Sequence, residues 1–244
     1  MTAKTKIQIT LPDGSKREMD QGATGLDLAG SISKGLLKEA VAMQVDGEVL
    51  SLREPLEDGA TVTIIKRQSE HGLWVIRHSA AHVMADAIKQ LRPQVKLWKG
   101  PPVEDPRYGF YYDVDLGDQP LTQEELPEVE KRMRQIIKAN VPFERCVLSR
   151  DAALELMAQH GEDYKVATIQ KIPAGEEISF YRSGEFVDLC KGPHVPATGS
   201  LGEGIAVLSI AGAYFEDDAG NKMLTRVYGH AFADKKQMAA HRKM

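Results

Sequence analysis

The chain has 244 residues, 42% of them hydrophobic, enough for one large or two modest cores, and two domains is the better expectation. No stretch reaches the roughly 20 apolar residues that cross a bilayer, and the opening MTAKTKIQIT lacks the charged-then-apolar pattern of a secretory signal, so a soluble, cytoplasmic protein is expected. Cys146 and Cys190 are too few for a disulfide framework, and a net charge of −4 argues against a phosphate-rich partner held by bulk electrostatics.

That average conceals a gradient. Lys and Arg number 9 against 10 acidic residues over 1–67, 16 against 24 over 68–220, and 6 against 1 from Asn221 onward. Lys222, Arg226, Lys235, Lys236, Arg242 and Lys243 therefore form the one clearly basic stretch. On composition alone it reads as a solvated helix face, with RNA contact allowed rather than indicated.

Taken in chain order, Ile7 and Ile9 alternate with polar residues, and Pro12-Asp13-Gly14-Ser15 turns the chain into Lys16–Asp20, predicting a hairpin. Thr24 is a candidate N-cap for a helix through Leu26, Leu28 and Ala29, and Gly35 interrupts the run beyond them. Val41, Met43 and Val45 alternate into Asp46-Gly47, a strong hairpin signal, and Val62, Ile64 and Ile65 supply a last strand. This order is β-grasp-like. Beyond Ser69 the period changes: Ile76, Ala80, Val83, Ala87 and Leu91 recur at helical spacing until Pro93. Tyr108–Val114 is aromatic and β-prone, and Thr122–Glu125 is a capping box opening a charged helix to about Ala139. Strands are expected near Phe143–Leu148, Ile178–Arg182 and Ile205–Ile210, with a helix after Ser149. Long helices among non-adjacent strands indicate an α+β domain with an antiparallel sheet.

Two clusters carry chemistry. His78 and His82 lie four residues apart on the predicted helix, so their rings leave one face a turn apart, well off the Ile76-Ala80-Ala87 stripe. A histidine pair alone is equally compatible with structural or solvent-facing rings. Val187–His194 gathers Asp188, Cys190 and His194, and Gly192-Pro193 forbids a regular helix there, implying a shaped loop that can turn Cys190 and His194 toward one point. Together HxxxH and CxxxH suit tetrahedral zinc. They equally suit a metal-free hydrolytic pocket in which a neutral imidazole activates water beside cations. In Gly109–Asp113 alternation sends Tyr111 and Tyr112 to opposite sides of a strand, so at most one joins the core while the other can line a cleft. Lys165 is unremarkable by spacing.

The strings ITLPDGS, IRHSAAH, KQL, GFYYDV, YKV, VDLCKGPHVP, AGAY, NKML and RVYG resemble, in the same order, those of the bacterial threonyl-tRNA synthetases. The resemblance spans nearly the whole chain. It implies a TGS domain, a β-grasp unit, over 1–67 and an editing domain, shared in part with alanyl-tRNA synthetases, over 68–228. Residues 229–244 then begin a basic linker helix toward an aminoacylation domain, so the chain reads as a fragment that neither binds ATP nor charges tRNA. The implied activity is hydrolysis of serine wrongly attached to the aminoacylated 3′ end of threonine tRNA, sparing threonyl-tRNA.

By the same resemblance His78, Lys165, Asp188, Cys190 and His194 are the catalytic candidates, with His82, Gly100 and Tyr112 lining the substrate pocket. His78 and Lys165 would position or activate water, and Asp188 would anchor the substrate amine or hydroxyl. Cys190 and His194 would shape and polarise the pocket, and the wall at Tyr112 and Asp188 would exclude the threonine methyl. No cofactor is required; zinc at His78, His82, Cys190 and His194 ranks below metal-free water activation. A homodimer is expected of the full-length parent. Lys191 stands where many relatives have arginine and His230 where a small residue is common. The rival readings are a noncatalytic tRNA-binding module and a zinc-dependent aminoacyl-tRNA hydrolase.

Overall fold

In the computed structural model residues 5–103 and 109–241 are described; Tyr108, Arg242 and Lys243, named above, lie outside them. Strands β1 (Lys6–Thr10) and β2 (Lys16–Asp20) pair antiparallel from Lys6↔Asp20 to Thr10↔Lys16, with Gly14 at φ 81° in the turn. Thr24 caps helix α1 (Gly25–Ile32) through a reciprocal box with Asp27, an arrangement worth about 0.5–2 kcal/mol. The expected break at Gly35 is displaced: the chain interrupts at Ser33, which ends α1 and caps α2 (Lys34–Glu39), and Gly35 lies inside α2. A serine hydroxyl satisfies the new helix's Leu36 N–H, so it sets the boundary more firmly than glycine's freedom does.

Strand β3 (Ala40–Val45) turns through Asp46 and Gly47, both at positive φ, into β4 (Glu48–Leu50), and β5 (Val62–Lys66) pairs on its other edge. This gives the antiparallel order β4-β3-β5. A parallel bridge, Thr10↔Thr61, joins the hairpin's end to the start of the last strand. Ile9, Leu28, Met43, Leu52 and Val62, none of them exposed, form the core beneath. By internal contacts this unit runs to Ile76 and includes Gly192–Pro196; the second comprises Arg77–Lys191 and the chain from Ala197.

Helix α3 (Glu70–Leu91) starts in the first unit and continues in the second. From His78 to Ile88 every residue is buried, so the apolar stripe does not define one inward face and the histidine face is interior too. In the second unit β6 (Lys96–Leu97), β7 (Phe110–Asp115), β11 (Ile205–Tyr214) and β12 (Met223–Ala231) form a sheet ordered β11-β12-β7-β6. A 3-10 turn with the Thr122–Glu125 capping box leads into α4 (Leu126–Ala139), which packs along β11. A second sheet, β10-β9-β8, is built from β8 (Glu144–Leu148), β9 (Ile178–Ser183) and β10 (Phe186–Leu189). Helices α5 (Arg150–Gln159), capped by Ser149, and α6 (Asp163–Lys171) pack together, and their core includes Met157, Ile169 and Phe180. The chain is thus α+β with antiparallel sheets, as the sequence predicts. A short α7 (Lys235–His241) follows.

The basic stretch is a solvated helix face only in part: Lys235 and Lys236 are exposed on α7, whereas Arg226 and Lys222 are engaged with carboxylates of β7. Arg226, on β12, makes a fork to both oxygens of fully buried Asp113 (2.7 Å each) while its guanidinium lies 3.8 Å from the Tyr111 ring centre. Lys222 bonds Asp115 at 2.7 Å. These cations neutralise interior carboxylates of the neighbouring strand. Among the described residues no helix is long and apolar enough to cross a membrane.

Candidate active site

Seven of the eight residues singled out line one cavity of about 300 Å³ in the second unit: His78, His82, Gly100, Tyr112, Lys165, Asp188 and Cys190. The eighth, His194, is fully buried in the Gly192–Pro196 segment that groups with the first unit. Helical spacing on α3 sets the His78 and His82 ring centres 5.3 Å apart, edge to face. Strand β7 supplies Tyr112, whose neighbour Tyr111 points the other way yet is also buried, at 8% exposure. Both tyrosines therefore join the interior, because Tyr111 is covered by Arg226 and Tyr228. The Val187–His194 segment is not loop throughout: β10 extends to Leu189, so Asp188 stands on a strand and Cys190 just beyond its end.

At the centre is a closed polar network. Lys165, buried on α6, sets Nζ 2.5 Å from Asp188 Oδ1 and donates to Tyr112 Oη at 3.0 Å. Tyr112 Oη donates to Asp188 Oδ2 at 2.5 Å, and His82 Nε2 lies 3.6 Å from the same oxygen. Burial drives His82 down to about 4, the Asp188 carboxylate opposing and Lys165 adding to the fall, so its imidazole is neutral at neutral pH. Burial would raise the Asp188 carboxyl, but the Lys165 ammonium, then His82 and the bonds from Lys165 and Tyr112, outweigh it and hold the group below its ordinary range. Burial, then the adjacent Asp188 carboxylate, keeps the Tyr112 phenol protonated far above neutrality. Asp188 and Lys165 are accordingly the ion pair of the site. Losing either partner strands an interior charge, at a cost of about 3–5 kcal/mol.

Cys190 Sγ lies 3.2 Å from His78 Nε2. Gly100 has a steric reason to be glycine: a Cβ there would stand 2.8 Å from Tyr112 Cγ and nearer still to two other ring carbons. The backbone can thus lie against the tyrosine face. The cavity also takes in Trp98, Lys99, Pro101 and Thr168, none of them singled out by sequence. Thr168 lies three residues beyond Lys165 on α6, a helix with no clear sequence signal, and only that helix reveals the pair.

Residues 7–66 match the TGS domain, and residues 178–228 match the domain described as the threonyl and alanyl tRNA synthetase second additional domain. A threonine–tRNA ligase of Halalkalibacterium halodurans is 48% identical over 98% of the chain, and one of Pelobacter propionicus 49% identical over 97%. Threonine–tRNA ligase 1 of Bacillus subtilis is 45% identical over 98%. This chain is a homologue of the amino-terminal part of threonine–tRNA ligases. It spans about a third of those relatives, 36% of each. In this homologue the 178–228 match carries Asp188 and Cys190, whereas His78, His82, Gly100, Tyr112 and Lys165 precede it. The cavity is therefore assembled from well beyond that matched segment.

The donor chemistry also fits a metal ion. Ligand atoms of His78, His82 and Cys190 lie within 4.8 Å of one another, and two imidazoles with a thiolate are ligands zinc accepts. His82 already faces the Asp188 carboxylate, the type of outer contact that orients a ligating histidine.

Proposed function

We propose that the cavity hydrolyses the ester between serine and the 3′ end of threonine tRNA, leaving threonyl-tRNA intact. The observation that carries this reading is the meeting, in one cavity, of His78, Cys190 and a lysine held by a buried carboxylate and a phenol. Water attacks the ester carbonyl while the His78 imidazole accepts its proton. The Lys165 ammonium stabilises the developing oxyanion, the ribose oxygen leaves and takes a proton, and serine and free tRNA result. Asp188, 2% exposed with both oxygens engaged, acts by fixing Lys165 rather than by reaching the substrate amine. Cys190 orients His78.

The chemical need is clear from magnitudes. A synthetic pocket sized for threonine rejects the smaller serine by only about 1–3 kcal/mol, so a second, tighter pocket is the remedy. The wall that excludes the extra methyl is Tyr112, fully buried, held by two hydrogen bonds and backed by Gly100. The partner is threonine tRNA.

The test is release of amino acid from seryl- and threonyl-tRNA bearing the threonine acceptor sequence, with and without chelator. Selective seryl release that survives chelation and disappears in His78→Ala is expected; normal release by that variant would defeat the assignment. A second reading, a metal-dependent hydrolase, is favoured by the His78, His82 and Cys190 donors. Bound zinc would supply a Lewis acid to the same ester. Stoichiometric zinc with chelator-sensitive release would select it.

A further inference from the structure

We propose that a second cavity in the same unit, between α3, the end of α4 and β10, binds a small aliphatic amine with its ammonium on Asp86. At about 410 Å³ this cavity is larger than the candidate active site. Ile136, Ala139, Val141, Phe186 and Val187 give it apolar walls, suited to a methylene chain. Asp86 is 8% exposed, and its bonding partner is the uncharged amide of Gln90, at 2.9 Å. The nearby guanidinium of Arg132 bonds Gln90 Oε1, at 3.3 Å, not the carboxylate. Lys89 on the same wall is committed to Glu162 and to the Val95 carbonyl.

The cavity is left with an anionic excess. Glu185 adds a second carboxylate at the wall, the Lys89–Glu162 pair is neutral, and the one imidazole of the lining, His160, leaves the balance negative even when it carries a charge. An interior carboxylate without a cation is costly, and burial pushes the Asp86 carboxyl up to about 6 despite the opposing pull of Gln90 and Arg132. An alkylammonium supplies what the wall lacks: three donors and a positive charge at Asp86, with carbon against the apolar side chains. An anion would meet the Asp86 and Glu185 carboxylates, and a neutral ligand would leave the Asp86 carboxylate uncompensated. The occupant would also touch Phe186, whose ring meets His82 edge-on at 6.3 Å, so a wall residue of this cavity is in ring contact with a wall residue of the candidate active site.

The experiment uses n-butylamine and putrescine as probes, n-butanol as the neutral isostere, and chemical-shift titration of the whole chain as readout. Saturable amine binding, at least about tenfold tighter than butanol, is expected. Asp86→Asn should erase that difference, and Ala139→Leu, which narrows the cavity from an exposed position on α4, should weaken both ligands. His78→Ala should leave amine binding unchanged. No saturable binding, equal affinity for butanol and butylamine, or undiminished amine binding in either Asp86→Asn or Ala139→Leu would overturn the proposal. Should Asp86→Asn fail to fold, Ala139→Leu decides alone.

Discussion

Gly100→Ala tests the packing of the site by adding a single methyl. That methyl would stand 2.8 Å or less from three carbons of the Tyr112 ring, where carbon–carbon contacts settle at about 3.5–4.0 Å. Relief needs a shift of roughly 1 Å, and both routes to it are obstructed. Moving the ring strains the Tyr112 bonds to Asp188 and Lys165, both of them charge-assisted. Moving the backbone strains the bonds that bracket Gly100, Asp113 N–H to the Lys99 carbonyl (2.8 Å) and Tyr111 N–H to the Pro101 carbonyl (3.4 Å). Either route costs about 1–3 kcal/mol. Equilibrium urea denaturation measures that cost, and the deacylation assay should show seryl-tRNA hydrolysis falling with it, because Tyr112 forms the wall. The matched control is Gly30→Ala in α1, where the nearest atom would be Leu37 Cδ2 at 3.6 Å and no positive φ is required. There the same methyl should stabilise by about 0.5–1 kcal/mol by restricting the unfolded chain. A Gly100→Ala protein as stable and active as its parent would refute the packing argument.

Lys165→Met should destabilise by about 3–5 kcal/mol by stranding Asp188, and Asp188→Asn added to it should restore part of that stability without restoring hydrolysis. Full activity in either variant would remove Lys165 from the mechanism. Arg226→Lys keeps the charge but loses the fork on Asp113 and the stack on Tyr111, so a drop in melting temperature is expected despite the conservative change. Asp86 gives a pH signature: its folded value of about 6 lies above its ordinary 3.8, so the protonated form contributes stability below about pH 4 that is lost as pH rises through 6. Asp86→Asn should therefore be more stable than the parent above pH 7 by up to about 3 kcal/mol, two units at about 1.4 each, with the difference vanishing near pH 4. A difference independent of pH would contradict it.

What was legible in sequence was local. The Pro12–Ser15 and Asp46-Gly47 turns, the Thr24 and Thr122 boxes and the α3 period each lie within a few residues, and each element forms where its signal stands. Helix α6 escaped notice because its nine residues carry no capping side chain and little amphipathic contrast. Strand β12 is hidden in the sequence because Arg226 reads as surface charge until Asp113, more than a hundred residues earlier, is set beside it. The histidine pair and the Asp188–Cys190–His194 cluster were legible by spacing and density, whereas Gly100 and the choice of Lys165 came from motif resemblance. The pairings came from neither, since Tyr112 and Lys165 are 53 residues apart and Tyr112 and Asp188 are 76.

That separation explains why the site's three polar partners form an interdependent set. Tyr112, Lys165 and Asp188 stand on β7, α6 and β10, in different parts of the second unit, and each is buried. An isolated carboxylate or ammonium at those depths is strongly disfavoured, so each element is tolerable in place only when the other two have arrived. The ion pair thus orients a lysine toward the cavity and penalises packings in which the three elements are misaligned. Burial also makes Asp188 a weak candidate for direct substrate contact, while it gives Lys165 a fixed position from which an ammonium can act on a developing negative charge without reorganising.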